Sequence, residues 1–241
     1  RKAFIPSPGN FLIAADYSQI ELRILAHLSG DETLKKAFLA GEDIHRFTAA
    51  LIFDVKEKDV APEMRTMAKR VNFGIIYGMS AFGLSKDLNI SAGEAQDFID
   101  KYFLRYPDVK KFMDSEIKKC RERGYVVTLL NRRRYIPEIT SNNIGIRQFA
   151  ERQAINTPVQ GSAADLLKLS MINIQKELEK RRLSSKMIIT VHDELVFDCV
   201  KKEEQELIGL IRQEMEHPLE LSVPIEVSIK IGSNWRDVRE V

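Results

Sequence analysis

The sequence predicts an α+β fold in which strands from both ends of the chain build a sheet and a long, mainly helical segment is inserted between them. Three observations lead there. Two apolar runs, Phe11 to Ala15 and Met187 to Val191, each lead into carboxylates and have the length of buried strands. A third segment, Ile225 to Ile231, alternates apolar and polar residues strictly, as a strand with one wet face does. Between residues 62 and 123 the apolar spacing is instead that of amphipathic helices. Strands at the ends and helices in the middle suggest a sheet domain with a helical insertion, and 241 residues allow one large domain or two smaller ones.

Taken in order, the first run ends at Asp16, and Ser18 and Glu21 follow with the spacing of a capping box, ahead of a helix with Leu22, Leu25 and Ala26 inward. Pro62-Glu63 opens a helix, and further helices are expected over Ser91 to Arg105 and Pro107 to Arg123. Tyr125 to Ile136 reads as a β-hairpin turning at Asn131, a residue that tolerates the left-handed backbone such turns need. Two helices are expected to flank Pro158, the second carrying Leu166, Leu167, Leu169, Met171 and Ile174. A strand ending at Asp193, a return strand from Leu195 to Val200, a charged amphipathic helix from Lys201 to His217 and the alternating strand complete the chain.

Composition excludes several classes. With 44% hydrophobic and 30% charged residues the chain reads as soluble and globular, and no apolar stretch approaches the roughly 18 residues that span a bilayer. The first residues lack the apolar core of a signal peptide, so a cytoplasmic location without membrane partners is expected. Cys120 and Cys199 have no zinc-like spacing and read as reduced thiols. A net charge of +2 means that nucleic acid would dock on local patches, such as Lys118-Lys119 with Arg121 and Arg123, Arg132 to Arg134, or Lys69-Arg70. Each patch taken alone fits a solvated surface as well.

The chemistry concentrates in two places. If the strands leading to Asp16 and to Asp193-Glu194 are sheet neighbours, their carboxylates converge, and buried negative charge is costly unless a hard cation such as Mg²⁺ neutralises it. Separately, Arg65, Lys69, Phe73 and Tyr77 recur every four residues and share a helix face, opposite Met64, Met67, Ala68, Val71 and Ile75. Two cations followed by two aromatics suit a triphosphate at one end and a stacked base at the other. An amphipathic helix with half-buried aromatics is the competing reading, against which Gly74 and Gly78 signal close approach or bending. Other signatures fail: Gly78 and Gly83 have P-loop spacing but are followed by Leu84-Ser85-Lys86, and the acids from Asp54 to Asp59 lack the glycine of a calcium loop.

DYSQIELR at Asp16 to Arg23, the RxxxKxxxFxxxYG pattern at Arg65 to Gly78 and VHDEL at Val191 to Leu195 resemble, in the right order, the three polymerase motifs of family A DNA polymerases. The resemblance extends to GxDIHxxTA around His45, INTPVQGSAAD at Ile155 to Asp165 and GxNW at Gly232 to Trp235, and so covers nearly the whole chain. It implies a polymerase right-hand fold lacking the thumb: an antiparallel-sheet palm from residues 1–28 and 147–241 and mainly helical fingers from 29–146. The implied activity is template-directed DNA synthesis, the transfer of a nucleotide from dNTP to a primer 3′-OH by a two-metal mechanism using Mg²⁺, with Mn²⁺ as a substitute.

Carried over residue by residue, the resemblance makes Asp16 and Asp193 metal ligands with the carbonyl of Tyr17, and Glu194 an auxiliary acid whose competing reading is a hairpin turn residue. Arg65 and Lys69 would hold the triphosphate, Lys69 also protonating the departing pyrophosphate. Phe73 would pack on sugar and base, Tyr77 beside the templating base, and Glu21 against the ribose 2′ position. Gln19 and His45 would join the nucleotide site, and Arg152, Asn156, Gln160, His192 and Arg134 would contact primer and template. Asn131 departs from the usual glycine at the hairpin turn. The thumb and the exonuclease-like part of the family are missing from this chain, so weak DNA affinity and little processivity are expected of it alone. A two-metal nuclease and a non-catalytic DNA-binding fragment are the rival readings.

Overall fold

Both ends of the chain enter one sheet. The computed structural model describes residues 1–241. The chain runs β1 (Phe11–Tyr17), α1 (Ile20–Ser29), α2 (Glu32–Leu39), α3 (Ile44–Phe53), α4 (Pro62–Ile76), α5 (Ala81–Leu88), α6 (Ala92–Arg105) and α7 (Pro107–Arg123). It continues through β2 (Tyr125–Val127), β3 (Arg133–Tyr135), α8 (Ile144–Lys180), β4 (Lys186–Val191), β5 (Glu194–Cys199), α9 (Glu204–Glu216), β6 (Val227–Gly232) and β7 (Val238–Glu240). One compact unit comprises Arg1–Leu22 with Ala163–Val241, and the other Arg23–Ser162. No helix is long and apolar enough to cross a membrane.

In the first unit the strand order is β4-β5-β1-β6-β7, all antiparallel. Central β1 reads as an unbroken apolar run because both its faces are covered. Leu12 and Ala14 face a cluster with Val196 and Trp235, while Leu12, Ile13 and Ala15 are all fully buried. Burial of side chains the size of Leu12 or Ile13 is worth about 1.5–3 kcal/mol each. β6 alternates as expected, Val227, Ile229 and Ile231 inward. The run before Asp193 does not behave as the buried neighbour of β1: β4 is the edge strand, its residues alternately exposed and half-buried, because the return strand β5 lies between it and β1. A register shift between Met187 and Ile189 bends this edge.

The strand β7 was not expected from the sequence, and its turn explains the GxNW signature. Asn234 Oδ1 accepts from the amides of Arg236 and Asp237, both at 2.9 Å, which closes the turn between β6 and β7. The turn then crosses Gly232 so closely that a Cβ there would lie 2.2 Å from the carbonyl oxygen of Asp237 and 2.9 Å from Val238 Cα. These are backbone atoms and cannot step aside as a flexible side chain would. Gly232→Ala is therefore expected to lower unfolding stability by about 2–3 kcal/mol in urea titration, and a variant as stable as the parent would show that the turn has room to give.

The second unit is helical apart from one hairpin. Asp31 caps α2 by accepting from Thr33 and Leu34 at 3.1 and 3.0 Å, and its other oxygen accepts from the first-turn amide of Asp108 in α7 at 3.1 Å. One buried carboxylate thus satisfies the orphan amides of two helices, where the positive ends of both dipoles favour it. Tyr102 and Tyr106, both fully buried, pack 4.9 Å apart beside this junction's helices. The Ser91–Glu94 capping box is formed in full at the head of α6. Hairpin strands β2 and β3 are three residues each, shorter than expected; the chain leaves the ladder at Val127 and turns at Asn131, whose φ is 59°.

The expected break at Pro158 is absent, since α8 runs unbroken through it. Proline forfeits one amide, at a cost of about 3 kcal/mol in a helix interior. Here the flanking Ala154, Ile155 and Val159 are buried, so apolar packing on both sides of the proline offsets that loss. Hydroxyls serve the neighbouring carbonyls: Thr157 donates to Gln153 O at 2.7 Å and Ser162 donates to Pro158 O.

Candidate active site

Antiparallel pairing sets the acidic cluster. In the β1–β5 register Asp16 lies opposite Glu194, and the amide of Tyr17 donates to the carbonyl of Asp193 at 3.3 Å. Leu12, Ala14 and Asp16 alternate onto one face of the sheet, so the last of them inherits the face of the Trp235 cluster. His192 and Asp193 form the tight turn between β4 and β5, His192 in the left-handed region at φ 56°. Asp193 is thus a turn residue rather than a strand end, and Glu194 is the first residue of β5 rather than part of the turn.

These groups line an open cleft of about 620 Å³ together with Arg1, Lys230, Trp235 and Arg236. Burial, then the negative charges of Asp193 and Glu194, push the carboxyl of Asp16 up to about 6, with Lys230 opposing. Asp193 acts on Asp16 both through its charge and as a side-chain hydrogen-bond partner. Glu194 is buried and already engaged, its Oε1 accepting from Trp235 Nε1 at 2.8 Å and its Oε2 from Arg1 at 2.7 Å. No three His, Cys, Asp or Glu side chains form a cation cage in this chain. Two mutually repelling carboxylates with backbone oxygens beside them nevertheless fit a hard ion such as Mg²⁺, which takes one or two carboxylates and keeps its other positions for water or phosphate oxygens.

Tyr17 anchors this arrangement from the opposite face. Its hydroxyl bonds with Ser170 Oγ at 2.9 Å, burial pushes its pKa up to about 12, and the amide of Ser18 donates to Glu226 O at 2.8 Å. Gln19 follows at φ 54°, its Oε1 buried without a partner, and α1 starts at Ile20 with half-buried Glu21 in its first turn.

The second unit carries the cation and aromatic stripe on α4. Ala68, Val71 and Ile75 are buried as expected, Met64 and Met67 half-buried, and Asn72 and Gly74 also face inward. Arg65 is not free: its Nε donates to Asp43 Oδ2 at 2.6 Å. Burial raises the pKa of Asp43, but Arg65 and the amide of Arg46 outweigh it and hold the carboxyl below its ordinary range. Lys69 is exposed and has no salt-bridge partner. Phe73 stands 5.9 Å from the His45 ring and 6.1 Å from that of Tyr77. His45 is buried, its Nδ1 paired with Asn72 at 2.9 Å, and burial pushes its pKa down to about 4, so it is neutral near pH 7.

The helix ends at Ile76, earlier than the repeat of four suggests, with Tyr77 as its cap and Gly78 at φ 66° beyond it. Gly78 is therefore a terminator that glycine fills without strain, and only Gly74 lies within the helix, against Leu84 and Met79 of the next element and loop. Along α8, Asn156 reaches the Tyr77 carbonyl through a long 3.5 Å bond, Arg152 packs against Gly78 and stacks over Phe149 at 5.7 Å, and Gln160 is exposed. Arg134 donates to Thr157 Oγ1 at 3.3 Å. Sequence reasoning missed Asp43, Asn72, Lys230 and Arg1 as site residues and gave Trp235 no role. Asp43 and Trp235 were visible in their signatures, but the partners they hold were not.

A sequence model of the family described as DNA polymerase family A matches residues 1–237. The chain is 51% identical over 239 residues to DNA polymerase I of Caldicellulosiruptor bescii and 49% identical over 240 residues to that of Geobacillus stearothermophilus. These matches take in 99% of this chain but 28% and 27% of those proteins, so the chain spans little more than a quarter of their length. A solved structure, the POL domain of Pol1 from M. smegmatis in complex with DNA primer-template and dNTP, superposes with a TM-score of 0.94 at 44% identity, covering 98% of this chain and 42% of that one.

Proposed function

This chain belongs to DNA polymerase family A, and from that premise we propose that it is the palm and fingers portion of a cytoplasmic DNA polymerase that extends a primer on a template strand. The palm would comprise residues 1–28 and 147–241 and the fingers 29–146. One observation supports this reading above others: a mutually repelling Asp16–Asp193 pair coexists with the Arg65, Lys69, Phe73 and Tyr77 stripe, and phosphodiester hydrolysis has no use for the latter.

In the proposed reaction the primer 3′ oxygen attacks the α-phosphorus of a dNTP, the bond to the pyrophosphate oxygen breaks, and the 3′-OH proton leaves to solvent. Asp16, Asp193 and the carbonyl of Tyr17 would hold two Mg²⁺ ions, or Mn²⁺ in their place, which supply charge stabilisation at the attacking and leaving oxygens when bound. Arg65 and Lys69 neutralise the triphosphate, and Lys69, without a salt-bridge partner of its own, donates the proton that pyrophosphate needs to depart. Phe73, backed by the neutral ring of His45, packs on the sugar and base, and Tyr77 lies beside the templating base. Glu21 crowds the ribose 2′ position, with Gln19 beside it. Arg152, Asn156, Gln160, His192 and Arg134 serve the primer and template strands.

Primer extension with Mg²⁺ and four deoxynucleotides tests the reading. This chain alone is expected to extend slowly and to release the duplex readily, and the chain joined to the preceding part of a relative is expected to extend efficiently. A joined protein that fails to extend, or that only shortens the primer, would sink it.

A further inference from the structure

Glu194 is the one carboxylate of the cleft with both oxygens engaged, and Trp235 is what engages it from the protein interior. The indole Nε1 donates to Oε1 at 2.8 Å and Arg1 donates to Oε2 at 2.7 Å. The indole is itself clamped: the Arg1 guanidinium lies 4.6 Å over its ring, Phe4 meets it edge-on at 5.4 Å, and its amide donates to the Phe4 carbonyl at 3.1 Å. Trp235 is 6% exposed, and the Asn234 turn and the close crossing at Gly232 fix its backbone. Glu194 stands opposite Asp16 in the sheet, so its negative charge reaches the pair while its lone pairs are committed elsewhere.

We propose that Trp235 is a positioning residue that acts through Glu194: the indole N–H holds that carboxylate off the Asp16–Asp193 pair. A divalent cation is then received by two carboxylates rather than three and keeps its remaining positions for substrate oxygens. A hydrogen bond donated to a carboxylate competes with metal ligation for the same lone pairs, and a rigid donor keeps the geometry without moving with the ligand. This inference rests on the reading that the pair binds a cation.

The chain has a single tryptophan, so a ¹⁵N-labelled sample gives one indole N–H signal. That signal is expected to hold its position through a Mg²⁺ titration that shifts the backbone amides of Asp16 and Asp193. An indole signal that moves with the cation overturns the proposal, because Glu194 has then left Trp235. A titration that shifts none of these signals overturns the cation reading, and the proposal with it. Trp235→Phe keeps a ring but loses the donor, and Mn²⁺ binding followed by electron paramagnetic resonance is expected to tighten by roughly three- to tenfold. On a Glu194→Gln background the same substitution is expected to change binding by less than about twofold. Equal effects in the two backgrounds, or no tightening in the first, would show that Trp235 merely packs.

Discussion

Asp16→Asn and Asp193→Asn are each expected to slow primer extension by at least about 10³-fold, equivalent to roughly 4 kcal/mol in the barrier, while duplex affinity changes by less than about threefold. The asparagines keep size and hydrogen bonding but remove the charge that a cation needs, so the loss falls on the chemical step. Single-turnover extension with the joined protein measures it, and parent rates in either variant would refute the metal assignment. Stability separates this from unfolding. The carboxyl of Asp16 is raised from 3.8 to about 6, first by burial and then by Asp193 and Glu194. An acid whose folded pKa is raised stabilises the fold fully below its unfolded pKa and loses that contribution as pH rises through the folded one. With chelator present, the melting temperature of the parent should therefore fall between pH about 4 and about 7 more than that of Asp16→Asn. Steeper loss in the variant would contradict the burial and charge that surround Asp16.

Lys69→Ala is expected to reduce kcat by about 10²–10³-fold with a smaller change in apparent dNTP affinity, the range typical for loss of a general acid that also stabilises developing charge. The neighbouring Arg65 is tied to Asp43 at 2.6 Å and on the proposed reading would still supply positive charge to the phosphates, so ground-state binding is expected to survive better than turnover. Lys69→Arg separates two roles that the alanine variant merges. It keeps the charge but not a readily donated proton, and it should recover affinity while leaving kcat at least about tenfold low. Full recovery of kcat by arginine would mean that Lys69 acts only as a charge. Since Lys69 is exposed, neither substitution should alter the melting temperature appreciably.

Much of the arrangement was legible because it is written in local pattern. The alternation of Ile225 to Ile231, the helix expected over Ser91 to Arg105 and the left-handed turn at Asn131 depend on neighbours within a few residues, and each forms as the pattern suggests. The stripe on α4 is legible for the same reason, since a repeat of four is a property of one helix. Errors arose where a local rule met a distant partner. Pro158 signals a break, but buried side chains on both sides carry α8 through it. Met187 to Val191 is as apolar as Phe11 to Ala15, yet one run forms the edge strand and the other the centre, a difference of strand order that composition does not encode.

The sequence by itself determined the residue types and spacings of the chemistry: carboxylates following two apolar runs, and two cations and two aromatics at a repeat of four. It also carried the family, because those signatures occur together and in order over nearly the whole chain. Only the tertiary structure decided how the three acids divide their work. The β1–β5 register brings Asp16 opposite Glu194, the β4–β5 turn swings Asp193 beside Asp16, and a tryptophan 41 residues beyond Glu194 claims its carboxylate. The physical reason is that a charge's role follows from what compensates it, and compensation depends on distance in space rather than along the chain.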